Sequence, residues 1–160
     1  MDKREIMFKE IRNKKRQLKL EEAKELLING EYGILATNGE NGYSYAIPLN
    51  YVYVNDKIYF HCAIEGHKLD NIALNNKISF CVVGKTELAP EKFTSKYESV
   101  LIFGRAFIAD EDEKKKALIG LINKYSSGYE KQGGKYIDRS IQDTCVVKIE
   151  IDQITGKANR

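Results

Sequence analysis

Residues 59–72, YFHCAIEGHKLDNI, bring two histidines, a cysteine, a lysine and a glycine into one short span. The run reads as a strand, a sharp turn at Glu65-Gly66, and a helix whose first turn carries His67 and Lys68. A helix start presents unpaired N–H groups and the positive end of the helix dipole, and Lys68 adds a compact cation. Together these would hold a phosphate. An ordinary strand-to-helix connection, with both side chains in solvent, would show the same pattern. On the strand, His61 shares a face with Tyr59 and Ala63, where an imidazole is either a satisfied structural group or a proton donor working near neutral pH. Upstream, Pro48 breaks a strand beside Asn50 and would free backbone groups for a ligand, or simply turn a barrel corner.

The bulk numbers exclude several classes of partner. The chain has 160 residues, enough for one domain with its own core, and is 42% hydrophobic and 31% charged, as soluble globular proteins are. A net charge of +3 is too small to argue for nucleic acid. Much of the excess lies at 12–19, RNKKRQLK, within a basic N-terminal extension (1–19) that reads as a solvated approach to a helix. No apolar run approaches the roughly 20 residues that span a bilayer, and the N-terminus has no apolar signal core. A cytoplasmic protein with no membrane partner is expected. Cys62, Cys81 and Cys145 all fall in apolar runs and read as reduced, buried side chains; no metal site is expected from their spacing.

The elements that must position these residues are mostly strands. Leu20, Ala23, Leu26 and Leu27 give a short amphipathic helix that stops at Gly30. Strand 32–37 is closed by Asn38-Gly39 and Asn41-Gly42, a strong hairpin signal, and strand 43–54 returns with Tyr45, Ile47, Leu49, Tyr51 and Tyr53 on one face. Asn55-Asp56 turns into strand 57–63, and the helix 66–75 follows with Leu69, Ile72 and Ala73 inward. Strand 77–84 reads as buried on both faces. A polar loop at 88–98, a candidate lid or subunit contact, leads to strand 99–109, which is interrupted at Gly104-Arg105. Asp110 and Glu113 form a capping-box pattern ahead of an apolar stripe, Ala117, Leu118, Leu121, Ile122 and Tyr125. Residues 126–143 read as loop with at most a short helix. The sixth strand alternates, with Cys145, Val147, Ile149 and Ile151 inward and Val146, Lys148, Glu150 and Asp152 outward; 154–160 is a tail with little to fold around. These elements predict a mainly β fold, a small six-stranded antiparallel barrel with flanking helices, as a single domain over 1–160. So small a barrel is filled by side chains, which sends any planar cofactor to its outside or to a subunit seam.

The combination of PLNY at 48–51, FH-x4-GxKLDN at 60–71 and YES-V-x-x-FGRA at 97–106, in that order, resembles the flavin-binding split-barrel superfamily that includes pyridoxamine 5′-phosphate oxidase. Within it, the chain is most similar to the nitroimidazole-resistance (Nim-type) branch over about residues 20–156. The resemblance implies a homodimer with FMN at the interface. Pro48, Leu49, Asn50 and Tyr51 would then lie along the flavin ring, and Phe60, His61 and Cys62 would continue that wall. His67 and Lys68 would hold the phosphate, and Glu98, Ser99 and Phe103 would come from the partner subunit. It also implies reduction of a small nitroaromatic acceptor, with His61 as hydrogen-bond donor or general acid. A haem or flavin carrier without turnover is the alternative, with His61 or His67 as axial ligand in the haem case. The chain ends ITGKANR where pyridoxamine phosphate oxidases carry an Arg-Leu-Ala-Pro type motif, a departure that weighs against vitamin B6 oxidation.

Overall fold

A computed structural model describes residues 8–160; residues 1–7 of the basic extension lie outside the described residues. Seven strands form one antiparallel sheet: β1 (Gly33–Asn38), β2 (Ser44–Leu49), β3 (Val52–Val54), β4 (Lys57–Ala63), β5 (Lys77–Ala89), β6 (Thr94–Ile108) and β7 (Thr144–Asn159). Their spatial order is β2-β1-β5-β6-β7-β4-β3. The two edge strands, β2 and β3, are joined by Asn50 and Tyr51 alone. The sheet must therefore curl until its edges almost meet, which makes a barrel with one open seam at Asn50-Tyr51.

Turn chemistry sets the register as expected at several points. Gly42 has a φ of +84° in the β1–β2 hairpin, and Asn55 and Asp56 both adopt left-handed φ, +52° and +58°, in the β3–β4 turn. Pro48 lies on edge strand β2, opposite Ile34, where its missing N–H costs no second ladder. The β6–β7 ladder shifts register between Phe103 and Gly104, at the interruption expected from sequence. Inside the barrel, Leu35, Tyr51, Ile58, Phe60, Phe80, Ile102 and Ile149 are fully buried.

Among the described residues, four α-helices flank the sheet: α1 (Leu20–Asn29), α2 (His67–Leu74), α3 (Glu111–Tyr125) and α4 (Glu130–Ser140). Among the described residues, none is long and apolar enough to cross a membrane. Asp110 caps α3 by accepting from the Glu113 N–H at 2.8 Å. Glu113 does not return the favour of a full capping box, because its carboxylate is drawn to the sheet: it accepts from Lys148 at 3.0 Å and from the Tyr59 hydroxyl at 3.1 Å. These contacts fasten the start of α3 to β4 and β7. A second apolar cluster, including Tyr59, Ala117, Leu118, Leu121, Ile137 and Val146, fills the space between α3, α4 and the sheet.

Several expectations are corrected. The described residues hold seven strands, since the strand expected over 43–54 breaks at the seam into β2 and β3. The loop expected at 88–98 is the end of a long β5–β6 hairpin that turns through a 3₁₀ segment, Pro90–Lys92, and leaves Phe93 exposed at its tip. The tail at 154–160 instead continues β7, paired with β6 as far as Asn159, because β6 supplies a free ladder edge. The loop expected at 126–143 holds α4, an 11-residue helix. Val146 points outward but is buried, because α3 and α4 cover that part of β7. Strand β5 is buried on one face only, with Ser79 and Cys81 half-covered and Val83 exposed on the other, and Ala73 of α2 is exposed.

Candidate functional site

The seam is locked by α3. The Tyr51 side chain fills the barrel interior, with its hydroxyl bonded to the Leu27 carbonyl and its ring edge-on to Phe80 at 5.1 Å between centroids. Its backbone is clamped from outside. The Tyr51 N–H donates to the Tyr125 hydroxyl at 3.1 Å, that hydroxyl donates to the Glu31 carbonyl at 2.6 Å, and the Lys124 ammonium donates to the Tyr51 carbonyl at 3.0 Å. Lys124 also sits 3.9 Å from the centre of the Tyr51 ring. Burial pushes Lys124 down to about 8, while the carbonyl and the ring face favour its charged form. The strand break therefore does not free the Tyr51 backbone for a ligand; it fixes Asn50, whose side chain is exposed. Tyr125→Phe is expected to destabilise the fold by about 1–3 kcal/mol, because it strands the Tyr51 N–H; denaturant unfolding would measure it.

Next to the seam is a cavity of about 720 Å³ whose sheet wall is Asn50, His61, Cys62 and Ala63. Its opposite wall is one face of α4 and the residues flanking it: Tyr129, Gln132, Tyr136, Arg139 and Asp143 recur every three or four residues along the cavity. Tyr129 and Tyr136 line the cavity yet are 64% and 66% exposed, so this wall is open to solvent, while Ile137 on the same helix is buried against the sheet. What holds α4 there is α3: a Cβ at Gly133 would sit 2.6 Å from the Ile122 side chain, so only glycine allows that approach. His61 opens onto the cavity, yet enough protein crowds it that burial holds its imidazole below the ordinary value. It is a neutral hydrogen-bonding group at neutral pH.

Sequence reasoning missed the α4 wall. Its only fully apolar core residue is Ile137, and two adjacent glycines disguise the helix; the signal that could have found it is the recurrence of Tyr129, Gln132, Tyr136 and Arg139 at helical spacing.

The remaining expected site residues fall in three places. His67 and Lys68 open α2, and the His67 ring lies 4.0 Å from that of Tyr45 on edge strand β2. Gly66, the residue before the helix, has a φ of +153° and open space where a side chain would be, so the backbone there is accessible. Lys68 forms no ion pair among the described residues. Pro48 is exposed and Leu49 half-buried on β2, whereas the Phe60 ring is wholly inside the barrel and lines no outer surface. Glu98, Ser99 and Phe103 lie on β6, away from the cavity. Glu98 accepts from Arg160 at 3.0 Å, and Phe103 stacks on Phe8 at 5.4 Å. Within one chain, then, Asn50, His61 and Cys62 share a cavity, and the β6 residues do not join them.

No curated protein matches the chain. Among solved structures, a proposed 5-nitroimidazole antibiotic resistance protein from Bacteroides thetaiotaomicron is 21% identical, with 90% of each chain covered and a TM-score of 0.73. A FAD-binding protein from Mesorhizobium loti is 22% identical over 91% of this chain and 98% of that one, with a TM-score of 0.64. HutZ, the haem storage protein of Vibrio cholerae, is 15% identical over 87% of this chain and 94% of that one, with a TM-score of 0.65. Likeness at these identities establishes the shared fold and leaves the activity to be argued from the site. The family profile described as pyridoxamine 5′-phosphate oxidase matches residues 19–158, nearly the whole of the fold laid out above, and the chain belongs to that family.

Proposed function

We propose that the protein is an FMN-dependent oxidoreductase of the Nim type, reducing a small nitroaromatic or related planar acceptor, and that it works as a homodimer. The observation that carries this reading is the cavity between His61 and the tyrosine face of α4, beside a seam that holds Asn50 rigid. The residues fit a flavin on two counts. Asn50, His61 and Cys62 offer a polar-edged wall outside a filled barrel, and the open turn at Gly66 with Lys68 just inside α2 suits a phosphate. When bound, flavin supplies the electron transfer. The chain supplies the rest: Lys68 and His67 hold the anionic end, Asn50 and its neighbours Pro48 and Leu49 orient the ring, and Tyr129 and Tyr136 sandwich the acceptor. His61 donates a hydrogen bond, or its proton, to the acceptor atom that gains charge. Glu98, Ser99 and Phe103, remote from the cavity in one chain, complete the site from the partner subunit in this reading.

A second reading follows from His61 alone. A neutral imidazole opening onto a largely apolar cavity of about 720 Å³ is also what an axial haem ligand requires, and HutZ, a haem storage protein, shares the fold.

Desalted protein, its absorption spectrum recorded before and after adding FMN or hemin, separates the two. Retained flavin bands are expected, and Lys68→Glu should lose them while keeping its circular dichroism, because it puts a negative charge where the phosphate sits. A retained Soret band without flavin would replace the oxidoreductase reading with the haem one. Retention of neither ligand would remove both.

A further inference from the structure

We propose that Cys62 and Cys145 form a dithiol that hydrogen peroxide oxidises to an intramolecular disulfide, a modification site joining β4 to β7 beside the cavity. The two residues are direct register partners in the antiparallel β4–β7 ladder. Opposed Cα atoms in such a ladder are about 4.5–5.5 Å apart, inside the roughly 4.4–6.8 Å that disulfides span, and the Cβ atoms, about 4.5–5.5 Å apart, have to approach by only about 1 Å for closure. Both thiols are free and half-buried, and both pack on the edge of the barrel core. Cys62 also lines the cavity, which gives a small oxidant a way in. The third cysteine provides an internal control: Cys81 is on β5, with Ile34 and Leu101 as its register partners and no thiol opposite.

The chemistry balances with peroxide as the oxidant. The Cys62 thiol gives up its proton, the thiolate attacks one peroxide oxygen, the O–O bond breaks, and the departing hydroxide takes up that proton, leaving a sulfenic acid and one water. The Cys145 thiol then attacks that sulfur, the S–S bond forms, and the sulfenic oxygen leaves as a second water. Two thiols are oxidised by two electrons and one peroxide is reduced. Burial, and then Cys145 itself, pushes the Cys62 thiol up to about 11, while Lys68 draws it back. Oxidation is therefore slower than for an exposed thiol, and the pair stays reduced until peroxide accumulates.

This inference stands apart from the flavin reading, and its test needs no cofactor. Purified full-length protein is treated with stoichiometric hydrogen peroxide, denatured in N-ethylmaleimide without reductant, and weighed by mass spectrometry. The expected product has lost two hydrogens and carries one maleimide, on Cys81, with the peptides containing Cys62 and Cys145 linked; dithiothreitol restores three maleimides. Cys81→Ser should still lose the two hydrogens, and Cys62→Ser should not. Persistence of three alkylatable thiols in the wild type, loss of thiols only through added oxygen, or linkage through Cys81 would each overturn the proposal, whatever the variants do.

Discussion

Phe60→Ala is expected to cost about 3–5 kcal/mol of folding stability, the largest single loss predicted for this chain. The Phe60 ring is fully buried among Ile58, Phe80, Val147 and Ile149, and truncation opens a void that rigid strands on both sides cannot close. Phe60→Leu keeps most of the volume and should cost under about 1.5 kcal/mol. Urea unfolding of the two variants measures the difference. Loss of flavin from Phe60→Ala with unchanged stability would mean that the ring contacts the ligand after all, contrary to its place inside the barrel.

His61→Ala carries the largest expected effect on turnover. If His61 delivers a proton or a hydrogen bond to the reduced acceptor, its removal should slow acceptor reduction by about 10²–10⁴ while FMN stays bound. Stopped-flow reoxidation of the reduced protein by a nitroaromatic is the measurement, and an unchanged rate would end the case for His61. A pH profile adds an independent readout. Burial lowers the His61 pKa, so the imidazolium forms only on the acid side of its ordinary value; an acid-dependent step should accelerate as pH falls, and His61→Gln should flatten the curve. The stability effect has the opposite sense. The folded chain binds this proton less readily than the unfolded chain does, so His61 penalises the fold as pH drops below about 6.5 and contributes no such penalty above it.

The sequence was most readable where one residue type has one physical job. Asn-Gly and Asn-Asp at turns, Asp110 at a helix start and the apolar stripe of α3 all correspond to what folds there, because each is a local preference with few alternatives. It was least readable where the partner is remote. Residues 154–159 are unremarkable by themselves and become strand because β6 offers an edge; α4 is polar and glycine-bearing and becomes helix because Ile122 receives Gly133. Val146 belongs to an alternating strand yet is buried on its outward side, since a second layer covers it. Around the cavity, Asn50, His61 and Cys62 come together, whereas the rings of Phe60 and Tyr51 lie in the core, a placement that depends on which face of the sheet the barrel encloses.

Strand β7 sets a schedule for the growing chain. The β3–β4 hairpin attaches to the rest of the sheet only through β7, and β7 is the last of the described strands to be made. While the ribosome extends the chain, the half-built barrel therefore exposes Ile58 and Phe60 on one side and Ile102 on another, with a gap between them that stays open from the end of β6 at Ile108 until β7 begins at Thr144. A chain released before Thr144 would present two unpaired strand edges at once, a good template for intermolecular pairing and a natural target for chaperones.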